Sequence, residues 1–150
     1  MSPFPDTSFL CALYREQDNS KPADRRFSRL REPLAVSSLL LLEFRQSVRF
    51  QIGLHDRDKT RGFSRTEGTR MLEDLESDLD SGALKTVSVE WVAVHAMAER
   101  LSEKHTVSGC HRLTDILHVA TSLHLGAEEF LTFDANQKRL ARAESLKVSL

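Results

Sequence analysis

Hydrophobic and polar positions recur with two different periods along this chain, and the two periods predict its strands and helices. Short apolar or β-branched runs of strand type occupy the ranges 34–36, 84–89, 130–133 and 147–150. Between them, apolar residues recur at helical spacing, and one helical face carries Leu41, Phe44, Val48 and Ile52. A second face carries Met71, Leu72, Leu75 and Leu79, and a third carries Trp91, Val94, Ala98 and Leu101.

Residues with special backbone preferences mark the ends of these helices. Pro22 lies just inside the start of a short basic helix, "PADRRFSRLR", and Ser37 or Ser38 caps the helix that follows the strand at 34–36. Gly82 and Gly126 end two later helices, the second of which covers 114–125. At the N-terminus, "MSPFP" predicts a short first strand that ends before a helix beginning at Thr7.

Strands that alternate with helices predict an α/β fold with a mainly parallel sheet and helices on both faces. The length of 150 residues suits one domain, residues 1–150, with a core of its own. No repeat or low-complexity segment divides the chain.

Composition narrows the class of protein. A net charge of −1 argues against strong nonspecific binding of nucleic acid, although it allows a local basic rim beside a small site. Cys11 and Cys110, the only cysteines, form no paired pattern and predict reduced thiols in a core or near-core setting. "MSPFPDTSFL" does not have the features of a signal peptide, and "SSLLLLEF" is too short to span a bilayer. We therefore expect a cytoplasmic protein that does not contact a membrane.

Acidic residues follow several of the predicted strands. In βα units the carboxyl ends of parallel strands share one edge of the sheet, which is where open α/β sheets bind ligands. Position places five acids near this edge: Asp6, Glu43, Glu90, Asp115 and Asp134. The alternative for Asp134, in "LTFDANQKRLA", is a plain helix cap that forms a capping box with Gln137.

Three segments together resemble the PIN domain, and more narrowly the VapC-type ribonucleases, the toxins of bacterial toxin–antitoxin pairs. They are "PDTSFL", "LLEFRQSVR" and "LTDILHVATSLHLGAEEFLTFDANQKRLA". The resemblance covers nearly the whole chain and is strongest over the last third, where acid, helix, Gly-Ala, strand and Thr-Phe-Asp follow in the family's order.

The resemblance implies a three-layer α/β/α fold with strand order 3-2-1-4-5. It also implies an acidic quartet, carried over by position to Asp6, Glu43, Asp115 and Asp134, with supporting hydroxyls at Thr7, Ser8 and Thr132. In that order, strand 3 lies about 10 Å from the first strand, so Glu90 is expected only to begin a helix. Crowded carboxylates repel one another, and Mg²⁺ or Mn²⁺ would relieve the repulsion and leave positions for substrate phosphates.

The first strand departs from the family's pattern, which usually opens with a hydrophobic central strand. Proline cannot donate a hydrogen bond and is rare in central strands. Pro3 and Pro5 are two residues apart, so both lose donors toward the same neighbour, whereas Phe4 and Asp6 keep theirs toward the other. We expect a short first strand.

Two further groups of residues have a functional and a structural interpretation. His118 lies three residues after Asp115, but a single D-x-x-H pair favours a polar residue near the site mouth over a metal ligand. Arg25, Arg26 and Arg45 suit RNA phosphates, or they belong to the solvated faces of two helices. No aromatic platform for stacking RNA bases is visible.

The leading hypothesis is a metal-dependent endoribonuclease toxin that cleaves RNA, pairs with a cognate antitoxin and, by resemblance, forms a homodimer. A second is a non-catalytic PIN-fold module that binds RNA or protein. A third is a metal-dependent phosphohydrolase or phosphoacceptor domain of another doubly wound family. The third fits less well, because the Asp-x-Asp of haloacid-dehalogenase-like enzymes is replaced by Asp6-Thr7-Ser8.

Overall fold

Two pairs of parallel strands form the centre of the computed structural model, which describes residues 3–150. Strand β1 (Phe4–Pro5) pairs with β4 (Phe130–Leu131), and β2 (Leu34–Val36) pairs with β3 (Leu84–Thr86). The α/β class and the parallel pairing are as predicted, and two of the expected neighbour pairs, 3-2 and 1-4, are present. Met1 and Ser2 of the predicted "MSPFP" strand lie outside the described residues.

Prolines separate the two strand pairs. The backbone nitrogens of Phe4 and Asp6 donate to Glu129 and Leu131, so β1 is hydrogen-bonded toward β4 at 3.0 Å for each bond. Pro3 and Pro5 occupy the alternate positions, where they can offer no donor to the other side. Strands β1 and β2 are in contact, but within the described residues they form no ladder. The sheet is therefore split at its middle, between β1 and β2.

Seven helices pack around these strands in the described part of the chain. They are α1 (Thr7–Tyr14), α2 (Ser20–Ser28), α3 (Ser38–Arg57), α4 (Arg65–Ser81), α5 (Trp91–Gly109), α6 (Leu113–His124) and α7 (Ala135–Ala143). The predicted start of α3 and end of α4 are confirmed, whereas the basic helix predicted from Pro22 to Arg31 begins at Ser20 and ends at Ser28. The Ser37 hydroxyl accepts from the nitrogen of Leu40 at the start of α3, and Gly82 ends α4 in the left-handed conformation with φ 82°.

Two predicted strands are shorter in the structure, and a third is reduced to a single bridge. The run 84–89 ends at Thr86, because its partner β2 stops where Ser37 caps the next helix. The run 130–133 ends at Leu131, because the chain then turns toward α7. The predicted strand at 147–150 was wrong: the structure has only a single parallel bridge between Lys147 and Glu129.

The core lies between the strands and the inner faces of the helices. Phe4, Leu34 and Phe130 are buried completely in the strands, and Phe44 and Leu75 are buried on α3 and α4. Gly68 on α4 permits the close approach of α3, since a Cβ there would meet the Ile52 side chain at 2.4 Å. This packing fixes the carboxyl ends of β1 and β4, from which the site is built.

Among residues 3–150, none of the helices combines the length and the apolar character that crossing a bilayer requires.

Both cysteines are free thiols. Cys11 is half-buried, but Cys110 is exposed, so the expected near-core setting was wrong for Cys110. It lies at the end of α5 with φ 52°, where the turn toward α6 brings it to the surface.

Candidate active site

Asp6 is a completely buried carboxylate that follows β1 and caps α1. Its Oδ1 accepts from Ser8 Oγ at 2.6 Å and from the backbone nitrogen of Phe9 at 3.0 Å. Its Oδ2 accepts from Thr132 Oγ1 at 2.6 Å and from Gln137 Nε2 at 2.7 Å. The supporting role predicted for Ser8 and Thr132 thus corresponds to direct contact with this acid in the structure.

Burial dominates the ionisation of Asp6. Loss of solvent raises its pKa to about 6, although the hydrogen bonds from Ser8 and Thr132 favour the carboxylate and limit the rise. At neutral pH the protein therefore holds a negative charge where solvation is poor. A site of this kind favours a group that can neutralise the charge.

Gln137 joins Asp6 to Asp115. Its Nε2 lies 2.7 Å from Asp6 Oδ2 and 3.2 Å from Asp115 Oδ1, so both carboxylates are within hydrogen-bond distance of one nitrogen. Asp115 lies in the first turn of α6 with only 5% of its surface exposed. Its other oxygen accepts from Arg112 Nε at 3.1 Å, and the Arg112 side chain is 77% exposed.

Asp134 caps α7, as the sequence predicts. Its Oδ1 accepts from the Gln137 nitrogen at 2.8 Å, and its own nitrogen donates to Thr132 Oγ1 at 3.0 Å. The second half of the predicted capping box was wrong. The Gln137 side chain does not return to the nitrogen of Asp134, because Thr132 already accepts from that nitrogen and two buried carboxylates compete for the amide.

Glu43 projects from α3 toward Thr7 and His118. The Thr7 hydroxyl donates to Glu43 Oε1, and His118 Nε2 lies 3.3 Å from Glu43 Oε2. Burial opposes ionisation of Glu43, but the contacts with His118 and Thr7 outweigh it and lower the pKa to about 2. His118 is completely buried, and Glu43 Oε2 has no partner of hydrogen-bond geometry among the described residues.

Three of the four acids are linked through common residues, whereas Glu43 is next to them only through Thr7, the residue after Asp6. Within residues 3–150, no three acidic, histidine or cysteine side chains enclose a single point in the manner of a finished metal site. Asp6 and Asp115 meet at Gln137, Asp134 joins them through Thr132 and the Gln137 backbone, and Glu43 joins through Thr7 beside Asp6.

Glu90, which also follows a strand, begins α5. Its side chain accepts from the Val92 nitrogen at 3.3 Å, so the prediction that it serves as a helix-start acid is confirmed.

A cavity of about 490 Å³ lies between α5 and α6, lined by His95, Thr106, His111 and neighbouring residues. Its described lining does not include the four acids, although Ile116, the residue after Asp115, belongs to it.

The three arginines predicted for RNA phosphates lie in different settings. Arg26 pairs with Glu129 at 2.5 Å, at the amino end of β4 and so opposite the acids. Arg45 pairs with Glu76 at 2.5 Å, and Arg25 is exposed on α2. Sequence reasoning missed Arg112, whose position three residues before Asp115 was the available signal. It also took Gln137 only for a capping residue.

The fold and this arrangement of acids define the class of protein. The PIN domain family matches residues 4–143, and the chain belongs to that family. The membership predicted from the sequence is thereby confirmed.

Two solved structures are similar over most of their length. VapC20 of Mycobacterium tuberculosis, a sarcin–ricin loop cleaving toxin, is 17% identical with a TM-score of 0.63, and the match covers 92% of this chain and 94% of that one. FitAcB from Neisseria gonorrhoeae is 16% identical with a TM-score of 0.63, covering 97% and 94%. Comparison with curated protein sequences gives no match. At these identities the likeness shows a shared fold.

Proposed function

We propose that this chain is a metal-dependent endoribonuclease that acts as the toxin of a toxin–antitoxin pair. One observation carries the proposal: Asp6 and Asp115, which are 109 positions apart in the sequence, share a single amide donor at the carboxyl edge of the strands. Two buried carboxylates so close together repel each other, which would destabilise the fold, but they are suitable ligands for a cation.

The donor set fits Mg²⁺ or Mn²⁺. The site offers carboxylate oxygens rather than thiolates, which suits a hard cation. Buried Asp6, with its raised pKa, and Glu43 Oε2, which lacks a hydrogen-bond partner among the described residues, would both gain from a nearby positive charge. Asp6, Asp115 and Asp134 would hold the cation, with Glu43 beside them. When bound, such a cation supplies an activated water and stabilises charge on the phosphodiester.

The chain's own residues would prepare the site for RNA. Ser8 and Thr132 orient Asp6, while Thr7 fixes one oxygen of Glu43. Arg112, exposed beside Asp115, is placed to contact a phosphate, and Arg25 and Arg45 remain candidates farther along the RNA. Removal of any acid should therefore affect catalysis more than RNA binding.

The proposed partners follow from the toxin assignment. VapC20 is described as a toxin that cleaves the sarcin–ricin loop, and by analogy we assign RNA as the substrate class here. A cognate antitoxin protein would bind this chain, a homodimer is the proposed assembly, and the cytoplasm is the proposed location. Coexpression with the product of the adjacent small reading frame, followed by copurification, tests the antitoxin.

The decisive test is cleavage of a labelled RNA by the purified chain in Mg²⁺, in Mn²⁺ and in EDTA. We expect cleavage with either cation, loss in EDTA and a fall of orders of magnitude in Asp115→Asn. Glu90→Gln is the matched control, because Glu90 also begins a helix at the strand ends but touches none of the quartet's partners described above. Binding without cleavage would favour the non-catalytic module. Hydrolysis of a phosphomonoester instead of RNA would favour the phosphohydrolase.

A further inference from the structure

All the acceptor positions of Asp6 are filled in this structure. An ionised carboxylate has about four lone-pair positions, and Asp6 receives four hydrogen bonds. The donors are Ser8 Oγ, the Phe9 nitrogen, Thr132 Oγ1 and Gln137 Nε2. A cation that binds Asp6 through an oxygen must therefore displace one donor.

Three of the four donors are fixed by further bonds. The Phe9 nitrogen belongs to the backbone of α1, Ser8 Oγ also accepts from the Phe133 nitrogen at 2.9 Å, and Thr132 Oγ1 also accepts from the Asp134 nitrogen at 3.0 Å. Loss of either hydroxyl would remove one donor from Asp6 and would also leave a backbone nitrogen without an acceptor. These donors are costly to remove.

Gln137 differs from the other three. Its side chain reaches Asp6 from the first turn of α7 through rotatable bonds, it is 4% exposed, and its Oε1 has no hydrogen-bond partner among the described residues. Its Nε2 also binds Asp115, so this one nitrogen occupies the space between the two acids. The amide must present nitrogen to them, because ionised carboxylates only accept hydrogen bonds.

We propose that the Gln137 amide is a displaceable latch: it holds Asp6 and Asp115 together without metal, and a divalent cation expels it on binding between them. This inference rests on the proposed cation site. The amide hydrogens and the cation compete for the same oxygens, so the latch stabilises the metal-free protein and lowers the apparent affinity for the cation.

The substitution Gln137→Met tests the latch, since methionine has similar length and helix propensity but no donor. We expect the full chain carrying it to melt at a lower temperature in EDTA. Calorimetric titration should show Mn²⁺ binding about tenfold more tightly than to the wild type, the range expected when hydrogen bonds to charged groups no longer oppose binding. At saturating Mn²⁺ the two melting temperatures should coincide. Gln46→Met, at an exposed position on α3, is the matched control and should change neither quantity.

Two outcomes would overturn the latch alone. Equal destabilisation with and without Mn²⁺, at unchanged affinity, would mean that the amide stays in place when the cation binds. Weaker Mn²⁺ binding would mean that the amide oxygen is itself a ligand. Failure of the wild type to bind Mn²⁺ would instead remove the proposed cation site together with the latch.

A measurement on the wild type covers the case in which Gln137→Met fails to fold. Titration with Mg²⁺, followed through the side-chain amide resonances of Gln137, should move its protons toward the shifts of solvent-exposed glutamines. Retention of the starting shifts at saturation would contradict displacement.

Discussion

Thr132 donates a 2.6 Å hydrogen bond from Oγ1 to Asp6 Oδ2, across 126 positions of sequence. The same hydroxyl accepts from the nitrogen of Asp134, so one atom connects the acid after β1 to the acid after β4. Its side chain is completely buried.

Thr132→Val should therefore destabilise the protein by about 1–3 kcal/mol, since a shape-conserving change leaves the Asp134 backbone nitrogen without an acceptor and removes one of the two donors to Asp6 Oδ2. Urea denaturation measures the difference. Thr132→Ser keeps the hydroxyl and should recover most of the stability. Similar losses in both variants would assign the effect to the methyl group and its packing.

Asp134→Asn separates the capping and catalytic roles of Asp134. Asparagine caps a helix about as well as aspartate, so we expect stability close to wild type. The change removes a charge that a hard cation needs, and RNA cleavage should fall by orders of magnitude. Asp134→Ala should lose activity and about 1 kcal/mol of stability as well. Wild-type cleavage by the asparagine variant would leave Asp134 as a helix cap only.

The raised pKa of Asp6 predicts a pH dependence for the metal-free protein. Its pKa is about 6 in the folded chain against an ordinary value of 3.8, so between these values the folded state binds more protons than the unfolded state. Stability should then decline as pH rises through that window, by roughly 3 kcal/mol at most. Glu43 has the opposite sign: its contribution is complete above about pH 4.5 and is lost as pH falls toward 2.

Urea denaturation of the wild type and of Asp6→Asn, in EDTA at pH 5 and pH 7, isolates the effect of Asp6, because every other titratable group is common to the two proteins. The wild type should lose more stability over this interval than Asp6→Asn, which has no carboxyl group to titrate at this position. Parallel curves for the two proteins would show that Asp6 ionises normally.

Production of the chain alone should arrest bacterial growth if it is a toxin, and Asp115→Ala should relieve the arrest. The reason is the position of Asp115 beside Asp6, where both accept from Gln137. Colony counts after induction measure the effect, with immunoblotting to confirm equal amounts of protein. Glu90→Gln, the exposed cap of α5, should remain toxic. Undiminished toxicity of Asp115→Ala would exclude Asp115 from catalysis.

The helices were the most predictable part of the fold. The face of α3 that carries Leu41, Phe44, Val48 and Ile52 is buried, because a long amphipathic helix removes its apolar residues from water only when that face packs on the core. Strand lengths were less predictable, since they depend on a partner that the sequence does not reveal locally. Residues 87–89 have strand character, but β2 has already ended opposite them.

The positions of acids that follow strands could be predicted from the sequence. The hydrogen-bond partner of a side chain that has several acceptors within reach could not. Asp6, Asp115 and Asp134 were predicted from position and family resemblance. In the structure all three accept hydrogen bonds from Gln137: its side-chain amide donates to Asp6 and Asp115, and its backbone nitrogen donates to Asp134. The orientation of Gln137 was not visible, because a local rule assigned its amide to the cap. The amide instead donates to Asp6 and Asp115, which are far from Gln137 in the sequence and come close to it only when the chain folds.

Pro3 and Pro5 leave β1 and the residues beside it with amide hydrogens on one side only. Phe4 and Asp6 both donate toward β4, and Pro5 between them has no hydrogen to donate. Hydrogen–deuterium exchange at these two amides therefore measures the separation of β1 from β4. It does not detect a movement between β1 and β2. Deuterium uptake there would record how often the strand that precedes Asp6 separates from the strand that precedes Asp134, in a protein whose two strand pairs form no common ladder within the described residues.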